Sequence, residues 1–440
     1  MLQSETVKKY DTYKDSWIEW IGEIPQEWKF AKLAWCSNFV NGYAFNSENM
    51  DIEGEVPVVR IGDIQNNRVQ YETCLKVDSS EELKPYELKV NDIVIAMSGA
   101  TTGKLAVICD EKQAYINQRV GIIRSKYNKF IRYCLDNESF MKYVALLSAG
   151  SAQPNISMSN ILDYKIPYIS VEEQQQIADY LDKKCEEIDR VVETEKAVIE
   201  KLKEYKQSIV TEAVTKGLDK SAPLKDSGIE YLGNIPNNWN IKRLRHLANC
   251  QNGISKGGEF FGEGSPFVSY GDVYNNNVLP EIVSGLCMVT DSEKENYSVR
   301  ENDIFFTRTS ETIEEIAITC VCKKTIPDAT FAGFLIRVRP YTDELLVDFS
   351  KYYFASEIHR KFFVKEMNLV IRASLSQELL KKLPVLIPSK EEQQQIAEYL
   401  DKKCSEIDKA IADKEQVIEK FTEYKKSLIY ECVTGKRKVV

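Results

Sequence analysis

The chain has 440 residues, 43% hydrophobic and 28% charged, which is enough for two or three domains with cores of their own. Its formal charge of −9 excludes a protein that coats nucleic acid or membrane by bulk electrostatic attraction, so such binding would need locally basic surfaces. Eleven cysteines without a CxxC pair, and no long apolar segment, indicate a reducing, cytoplasmic setting. The two histidines, His246 and His359, stand alone in their segments, which argues against a histidine metal site or a Ser-His-Asp triad.

The first globular region, residues 1–169, reads as mixed α/β. Its apolar runs predict strands at 56–61, 92–97 and 121–124, and the loops between them are rich in Asn, Gly, Ser, Thr, Arg and aromatic residues. That composition is typical of polar surface recognition. The loop from Gly99 to Lys104 is one residue short of a Walker A motif and lacks the Ser or Thr after the lysine, so it does not predict ATP binding.

A long helix follows, predicted over 170–216, with a linker at 217–225. The segment from residue 172 to residue 215 contains no Gly or Pro and has apolar residues at helical spacing, which predicts a rod of about 60 Å. Pro167 precedes it and Gly217 follows it, as expected for the two ends of a helix.

The chain then repeats itself. A second globular region, 226–388, precedes a second long helix, 389–440. The 44 residues from Glu391 align without a gap to those from Glu172, with 27 identities. More weakly, DSGIEYLGNIPNNW from Asp226 echoes DSWIEWIGEIPQEW from Asp15, and strands are predicted again at 266–270, 303–307 and 333–337. The order is therefore domain, helix, domain, helix.

Each helix has an apolar heptad seam that it cannot bury alone, so the two are predicted to pair as an antiparallel coiled coil. The seam and register residues are Leu181, Lys184, Ile188, Val191, Glu195, Val198, Leu202, Tyr205 and Ile209, with Leu400, Ile407, Lys414 and Phe421 in the same register of the second helix. Glu195 and Lys414 are the one seam position of opposite charge, and a contact between them would fix the register. Alternatively, Val192 and Ile199 take over the core there and both charges face water.

The negative charge is concentrated in these helices. Residues 172–216 carry 12 acidic and 8 basic residues, and residues 391–436 carry 11 and 8, so seven of the nine net negative charges lie there. The globular regions are close to neutral, and a modest asymmetry would give each a basic face. The acidic average therefore does not exclude DNA as a ligand.

No catalytic motif is found. There is no GxGxxG opening a helix after a strand and no Pro-Pro-aromatic tetrad of an amino-methyltransferase, and the Glu204 to Lys206 half of a nuclease signature recurs at Glu423 to Lys425, which indicates a structural feature. Two unlike copies of a binding domain on a rigid rod predict a reader of a two-part, asymmetric site with an unread gap.

The order of motifs resembles the specificity subunit of type I restriction-modification systems. The residues that carry this resemblance are Ile24-Pro25-x-x-Trp28 and Ile235-Pro236-x-x-Trp239, Gln153-Pro154-Asn155-Ile156-Ser157, and the Glu-Glu-Gln-Gln-Gln-Ile-Ala starts at Glu172 and Glu391. They occur in order along nearly the whole chain.

The resemblance implies an α+β fold class: two similar mixed α/β target-recognition domains spaced by the antiparallel coiled coil, with a pseudo-two-fold internal repeat. It also implies a non-catalytic chain that binds double-stranded DNA and assembles with two modification subunits and with restriction subunits. S-adenosylmethionine, ATP and Mg²⁺ would be held by those partners and no cofactor or metal by this chain. The N-terminal stretch would meet the C-terminal helix in a pseudo-circular arrangement.

Polar residues on the predicted loops are the candidate DNA contacts, because Arg and Lys reach guanine edges and phosphates and Asn and Gln pair with adenine. The candidates are Asn41, Tyr43, Arg60, Ser98, Thr101, Lys104, Asn117, Gln118 and Arg119 in the first domain, and Asn252, Ser255, Lys256, Tyr270, Thr307, Arg308, Ser310 and Arg372 in the second. Each could instead be a solvated loop residue, and Asn41-Gly42 and Asn252-Gly253 could be simple turns.

The alternative function is a non-catalytic coiled-coil scaffold that presents two α/β modules to other proteins. It differs from the DNA reader in one measurable way, because phosphate contacts make affinity fall steeply with salt. A free-standing nuclease or methyltransferase would need motifs that the sequence lacks.

Overall fold

The computed structural model divides the chain into two compact units, Met1–Glu195 with Glu415–Val440 (unit 1) and Lys196–Lys414 (unit 2). The structure describes residues 8–18, 21–46, 48, 50–148, 154–310, 316–366 and 373–439, with only the backbone of 310, 360, 364–366 and 373. Each unit contains one globular region and a segment of both long helices.

The described residues of unit 1 form short strands, three short α-helices and one part of each long helix. The strands are β1 Tyr13–Asp15, β2 Glu23–Pro25, β3 Lys29–Lys32, β4 Asn38–Asn41, β5 Val56–Val59, β6 Ile64–Gln65, β7 Arg68–Val69, β8 Leu75–Val77, β9 Ile93–Ala96, β10 Leu105–Val107, β11 Tyr115–Ile116, β12 Val120–Arg124 and β13 Lys165–Tyr168. The helices are α1 Asn128–Leu135, α2 Glu138–Ser148, α3 Met158–Asp163 and α4 Val171–Lys216.

Unit 2 repeats this series. Its strands are β14 Leu224–Asp226, β15 Asn234–Pro236, β16 Asn240–Arg243, β17 Ala248–Asn252, β18 Phe261–Val268, β19 Leu286–Cys287, β20 Ile304–Thr307, β21 Thr309–Ser310, β22 Thr319–Val321, β23 Thr330–Phe331, β24 Leu335–Pro340, β25 Ala373–Ser374 and β26 Pro384–Ile387. Its helices are α5 Tyr270–Tyr274, α6 Asp291–Asn296, α7 Val347–Ala355, α8 Ile358–Glu366, α9 Gln377–Lys381 and α10 Lys390–Val433. The predicted mixed α/β character and the predicted strands are confirmed.

The two units share one sheet topology. In unit 1 a four-stranded antiparallel sheet has the order β10-β9-β12-β4, and a three-stranded sheet has the order β11-β5-β8. Unit 2 has the equivalent sheets β22-β20-β24-β17 and β19-β18-β23. In each unit the three-stranded sheet contains one parallel pair, β11 with β5 or β23 with β18, and buried residues of both sheets form the core.

The repeated Asn-Asp-Ile motif begins the central strand of each four-stranded sheet. Asn91 and Asn302 take left-handed φ angles of 69° and 70°, a conformation that asparagine tolerates better than most residues. The next residue, Asp92 or Asp303, is buried and pairs with an arginine of the neighbouring strand. Arg124 Nη2 lies 2.8 Å from Asp92 Oδ2, and Arg339 Nη2 lies 2.6 Å from Asp303 Oδ2. The motif is therefore structural in both units.

The repeated Ile-Pro-x-x-Trp motif anchors the ends of the long helices. Trp28 and Trp239 are buried, and each lies against a helix-terminating glycine, Gly435 or Gly217, with φ of 72° and 74°. A Cβ on Gly435 would come within 2.4 Å of Pro25, so only glycine fits this close approach. Trp28 also donates its indole N–H to Glu173 at the start of α4, 3.1 Å away.

The repeated Gln-rich starts fasten each long helix to the strand before it. Gln174 donates from Nε2 to the Ile169 carbonyl oxygen at 2.9 Å, and Gln393 donates to the carbonyl oxygens of Glu344 and Pro388 at 2.7 and 3.1 Å. Ser170 and Ser389 accept from the backbone N–H three residues later, which caps both helices.

Within each unit the two long helical segments run antiparallel. In unit 1 Asp189 pairs with Lys425, whereas Tyr180, earlier on α4, is beside Arg437, later in the chain. In unit 2 Lys206 pairs with Asp408, and Gly217, later in the chain, lies beside Glu392, earlier on α10. The lysines of the Glu-Tyr-Lys repeat thus form equivalent interhelical ion pairs, which explains the repeat without catalysis.

The seam prediction is right for one heptad position and wrong for the other. Leu181, Ile188, Leu400 and Ile407 are buried, and Leu202 and Phe421 are half-buried, as predicted. The other seam positions lie one residue later than predicted, because the observed seam steps four residues and then three from Leu181, whereas the predicted seam stepped three and then four. Val191 and Tyr205 are therefore exposed, and Cys185, Val192 and Ile199 face inward instead.

Glu195 and Lys414 are both half-buried at the ends of their units. The contact predicted between them stays a prediction.

The C-terminal residues of the chain close unit 1 on its N-terminal segment. Lys436 donates from Nζ to the carbonyl oxygens of Ile21 and Glu23 at 2.6 and 3.1 Å, and the Lys438 N–H donates to the Lys8 carbonyl oxygen at 2.8 Å. The expected meeting of N-terminal stretch and C-terminal helix is confirmed within unit 1. The helix itself ends at Val433, earlier than the predicted 440.

Candidate functional site

In unit 1 the candidate loops converge at one edge of the sheets. Asn41 ends β4 opposite Gly121 at the start of β12, and Ala96 ends β9 opposite Val120. Val59 ends β5, which runs parallel to β11. The loops that follow β4, β5, β9 and β11 therefore meet at this edge, which we call the reading edge of unit 1.

Backbone hydrogen bonds fix these loops to one another. The Met97 N–H donates to the Arg119 carbonyl oxygen at 2.9 Å, and the Ile156 N–H donates to the Met97 carbonyl oxygen at 2.9 Å. The Asn117 N–H donates to the Val59 carbonyl oxygen at 3.0 Å. The Pro154 to Ser157 segment, which carries the described part of one family motif, is thus held against the loop after β9.

The same bonds occur at the corresponding edge of unit 2, which we call the reading edge of unit 2. The Arg308 N–H donates to the Phe334 carbonyl oxygen at 2.9 Å, and the Leu375 N–H donates to the Arg308 carbonyl oxygen at 2.8 Å. The Ala332 N–H donates to the Val268 carbonyl oxygen at 3.0 Å. Position 97 is therefore equivalent to 308, and 119 to 334, although the side chains differ.

The Asn-Gly pairs at these edges are close approaches between chains, not left-handed turns. A Cβ on Gly42 would come within 2.0 Å of the Asn117 carbonyl oxygen, and one on Gly253 within 2.2 Å of the Ala332 carbonyl oxygen. Neither glycine has a positive φ. The glycines are needed because the strand ends pass directly over the neighbouring backbone.

Several candidates of unit 1 present free polar groups at the reading edge. Gln118, Arg119 and Lys104 are exposed, and within the described part of the chain their side chains have no hydrogen-bond or ion-pair partner. The half-buried Asn117 precedes Gln118 in the same loop. Cations held in this way can meet phosphates or guanine edges without first breaking an internal contact.

Arg60 differs from these residues because its guanidinium is already engaged. Its Nε lies 3.3 Å from Asp63 Oδ2, and its Nη2 donates to the Thr73 carbonyl oxygen at 3.0 Å. Asp63 in turn accepts the Arg60 backbone N–H, as Asp272 accepts that of Ser269 in unit 2. Arg60 therefore caps a short turn, and a DNA contact of its partly exposed guanidinium stays a prediction.

The remaining unit 1 candidates lie around the same edge. Asn41 is exposed and donates weakly to Met158 Sδ at 3.7 Å. Tyr43 packs against Phe45 and Tyr86 with ring centroids 5.0 and 5.2 Å apart. Ser98 and Thr101 turn their hydroxyl oxygens inward, where neither finds a hydrogen-bond partner among the described residues.

In unit 2 two candidates make contacts within the fold. Thr307 is fully buried, and its Oγ1 accepts the Ile318 N–H at 2.9 Å, so it cannot contact a base. Lys256 forms an ion pair with Glu293 at 2.7 Å, and its hydrogen bond helps to hold the pKa of Glu293 below its usual value. Its ammonium is therefore committed to a stabilising contact.

The other unit 2 candidates remain at the edge. Asn252 ends β17, and Ser255 is exposed in the loop that follows it. Tyr270 stacks on Tyr274, with ring centroids 5.7 Å apart, and Arg308 lies half-buried with Nη1 3.4 Å from the Gly333 carbonyl oxygen. The backbone of Ser310 pairs with Ala373, whereas Arg372 lies outside the described residues.

Sequence reasoning missed Phe334, which is 63% exposed at the reading edge of unit 2. It was missed because phenylalanine between Gly333 and Leu335 resembles part of a buried strand. The signal that would have found it is alignment of the two repeats by strand pairing, which places Phe334 at the position of Arg119.

Comparison with known proteins identifies the family. The sequence profile described as type I restriction modification DNA specificity domain matches residues 25–204 and again residues 236–420. The chain belongs to this family. As a type I DNA specificity chain it carries two copies of the recognition domain, one beginning in each globular region.

Individual relatives agree with this assignment. The EcoBI type I restriction enzyme specificity subunit of Escherichia coli is 24% identical, over 86% of this chain and 79% of its own length. A solved chain from a study of complex assembly and conformational transition of the type I R-M system matches 94% of this chain and 99% of its own length, at 14% identity and a TM-score of 0.70. The HsdS subunit from Thermoanaerobacter tengcongensis covers 94% and 98%, at 14% identity and a TM-score of 0.50.

The described residues contain neither a membrane-spanning helix nor a cluster of metal-ligating side chains. No helix there combines the length and apolar character needed to cross a membrane. No group of three or more His, Cys, Asp or Glu side chains is arranged there to hold a metal ion.

Proposed function

We propose that each reading edge contacts one half of a two-part DNA target, and that this chain alone sets the sequence read by a type I restriction-modification complex. One observation carries the proposal. The edges of the two units share the same backbone hydrogen bonds but carry different side chains at equivalent positions, such as Arg119 and Phe334. A conserved frame with divergent side chains is expected of two readers of different sequences.

The side chains at the edges suit double-stranded DNA. The exposed Arg119, Lys104 and Gln118 in unit 1, and the half-buried Arg308 and exposed Ser255 in unit 2, combine phosphate-binding and base-reading chemistry. Because the edges differ, the target would be asymmetric. The acidic charge of the long helices keeps non-specific attraction low, so recognition would depend on these edges.

The chain itself would be non-catalytic and would act in the cytoplasm. Its partners would be two modification subunits, which hold S-adenosylmethionine and methylate adenine, and restriction subunits that use ATP and Mg²⁺. The long helices are the proposed docking platform. Both the repeat of the helices and the family membership support two equivalent docking places.

The test is single-molecule methylation mapping of DNA from cells that express this chain with its modification subunit, compared with cells that express the modification subunit alone. We expect a two-part asymmetric adenine-methylation motif that requires this chain. If a confirmed complex methylates no such motif and its DNA affinity does not fall with salt, the proposal is wrong and a protein scaffold becomes the better account.

A further inference from the structure

At one pair of hydrogen-bonded positions, both reading edges have one cationic and one apolar residue, but the two residue types are in opposite places. In unit 1 the strand-end position is Met97 and the position that accepts its N–H is Arg119. In unit 2 the strand-end position is Arg308 and the accepting position is Phe334. Each edge therefore keeps one arginine and one apolar side chain, but in opposite places.

The two apolar residues are not equivalent in their surroundings. Met97 is half-buried and packs against the core of unit 1. Phe334 is 63% exposed, at a position where Arg119 shows that the frame accepts a polar side chain. Folding of unit 2 thus gains little from the ring of Phe334, because most of its surface stays in water.

Arg308 is bonded to the backbone that carries this exposed ring, since its N–H donates to the Phe334 carbonyl oxygen at 2.9 Å. Arg308 Nη1 is 3.4 Å from the carbonyl oxygen of Gly333, the residue directly before Phe334. A Cβ on Gly333 would come within 2.3 Å of Ser255 Oγ and 3.1 Å of the Ile254 carbonyl oxygen, so the chain passes close to its neighbours there. Arg308 and Phe334 therefore occupy directly hydrogen-bonded positions of the reading edge, on a backbone that is closely packed.

We propose that Phe334 is a specificity-determining residue of unit 2, which recognises a thymine through its 5-methyl group beside the base pair contacted by Arg308. The methyl group is the one apolar feature of the major-groove base edges, and it distinguishes thymine from cytosine and from uracil. Unit 1 has Arg119 at the equivalent position and would read a polar base edge there. This inference rests on the proposed function and names one contact within it.

The first experiment maps methylation by the full-length chain in complex with its modification subunit. Arg308 belongs to unit 2, so the half-site whose sequence requirement is relaxed by Arg308→Ala is assigned to unit 2. Phe334→Ala should relax one T:A position next to the position relaxed by Arg308→Ala, and leave the other half-site and the gap unchanged. The matched control is Tyr341→Ala, which removes another exposed aromatic residue beyond the opposite end of β24 and should leave the motif unchanged.

The second experiment isolates the methyl group. Binding of the wild-type complex is measured on duplexes in which the thymine at that position is replaced by deoxyuridine, which keeps every hydrogen-bonding group. We expect a loss of about tenfold for the wild type and no further loss for Phe334→Ala. Hydrogen exchange of unit 2 peptides in the variant checks that the fold is kept.

The outcomes separate the two levels of the account. A wild-type complex that methylates a two-part motif, with Phe334→Ala indistinguishable from it, would overturn this inference and leave the proposed function standing. An equal deoxyuridine penalty in wild type and Phe334→Ala would also overturn it, as would a unit 2 half-site made only of G:C pairs. A wild-type complex that shows no sequence-specific methylation would instead contradict the proposed function.

Discussion

Unit 1 and unit 2 differ at their surfaces and agree beneath them. The buried pair of Asp92 and Arg124 in unit 1 has a counterpart of the same geometry in Asp303 and Arg339 of unit 2, and the same loops are joined by the same backbone hydrogen bonds. At the reading edges, however, the position that holds Arg119 in unit 1 holds Phe334 in unit 2. The comparison teaches that the repeat conserves the groups that hold loops in place and leaves the groups that point outward free to change.

The shared frame should be the most sensitive part of both units. Arg124→Met or Arg339→Met leaves a buried carboxylate without its cation, and we expect a loss of about 3–5 kcal/mol in the stability of the affected unit. Hydrogen exchange of peptides from β9 and β12, or from β20 and β24, measures the loss in each unit separately. The control is Arg190→Met, which breaks an exposed pair with Glu186. Equal, small effects for all three variants would contradict the structural role assigned to the Asn-Asp-Ile motif.

The reading edge of unit 1 should affect binding without affecting folding. We expect Arg119→Ala to weaken binding to the two-part target by about 1–3 kcal/mol and to reduce its salt dependence, because the guanidinium is exposed and without an internal partner among the described residues. Fluorescence anisotropy across a salt series measures both quantities. Lys256→Met in unit 2 is the contrasting variant, since its ammonium is paired with Glu293 and its loss should mainly lower stability. If Lys256→Met weakens DNA binding more than Arg119→Ala does, the division between reading and structural cations is wrong.

Acid should weaken unit 2 and spare unit 1, because both histidines of the chain lie between residues 196 and 414. Burial of His359 against Tyr353 and Phe354 lowers its pKa to about 4. The unfolded chain, with a pKa near 6.5, binds the proton more tightly, so this contribution is complete above pH 6.5 and is lost as the pH falls toward 4. We expect a loss of roughly 2 kcal/mol at pH 5.

Exchange of unit 2 peptides at pH 7.5 and pH 5, corrected for the intrinsic pH dependence of exchange, measures this loss. His359→Phe should remove most of the difference between the two pH values. A loss that persists in His359→Phe, or that is equally large in unit 1, would assign the effect to other groups.

The smallest effects should come from the two interhelical ion pairs. Lys206 Nζ and Lys425 Nζ each lie 2.6 Å from their aspartate partners, but both aspartates are more than half exposed. Lys206→Met and Lys425→Met should each cost less than about 1 kcal/mol, and by equal amounts in their respective units. Urea titration followed by exchange at each unit tests this symmetry. A large loss in one unit alone would show that the helical segments of the two units do not stabilise them equivalently.

The sequence was sufficient for the features that depend on repetition and periodicity. The strands at 56–61 and 303–307 and the two long helices could be predicted, because they follow from local patterns repeated twice. The convergence of the polar loops at one edge follows only from the strand pairing. The seam was half right, since Leu181 and Ile188 lie on the buried heptad position whereas Val191 was placed one residue too early.

The roles of individual edge residues could not be predicted, because they depend on partners distant in the chain. Lys256 pairs with Glu293, and Thr307 accepts the backbone N–H of Ile318, the residue before β22. Neither contact can be recognised from the local sequence. Phe334 was missed because its local sequence suggests a buried strand residue. In the structure it lies just before β24 and its side chain is exposed.

The central claim is that two reading edges on one frame each read their own half-site. It is tested most directly by methylation mapping of Arg119→Ala and Arg308→Ala complexes beside the wild type. The account predicts that each variant relaxes a different half of the two-part motif and leaves the gap and the other half unchanged. Relaxation of the same half by both variants, or of neither half by either variant in a folded complex, would contradict it.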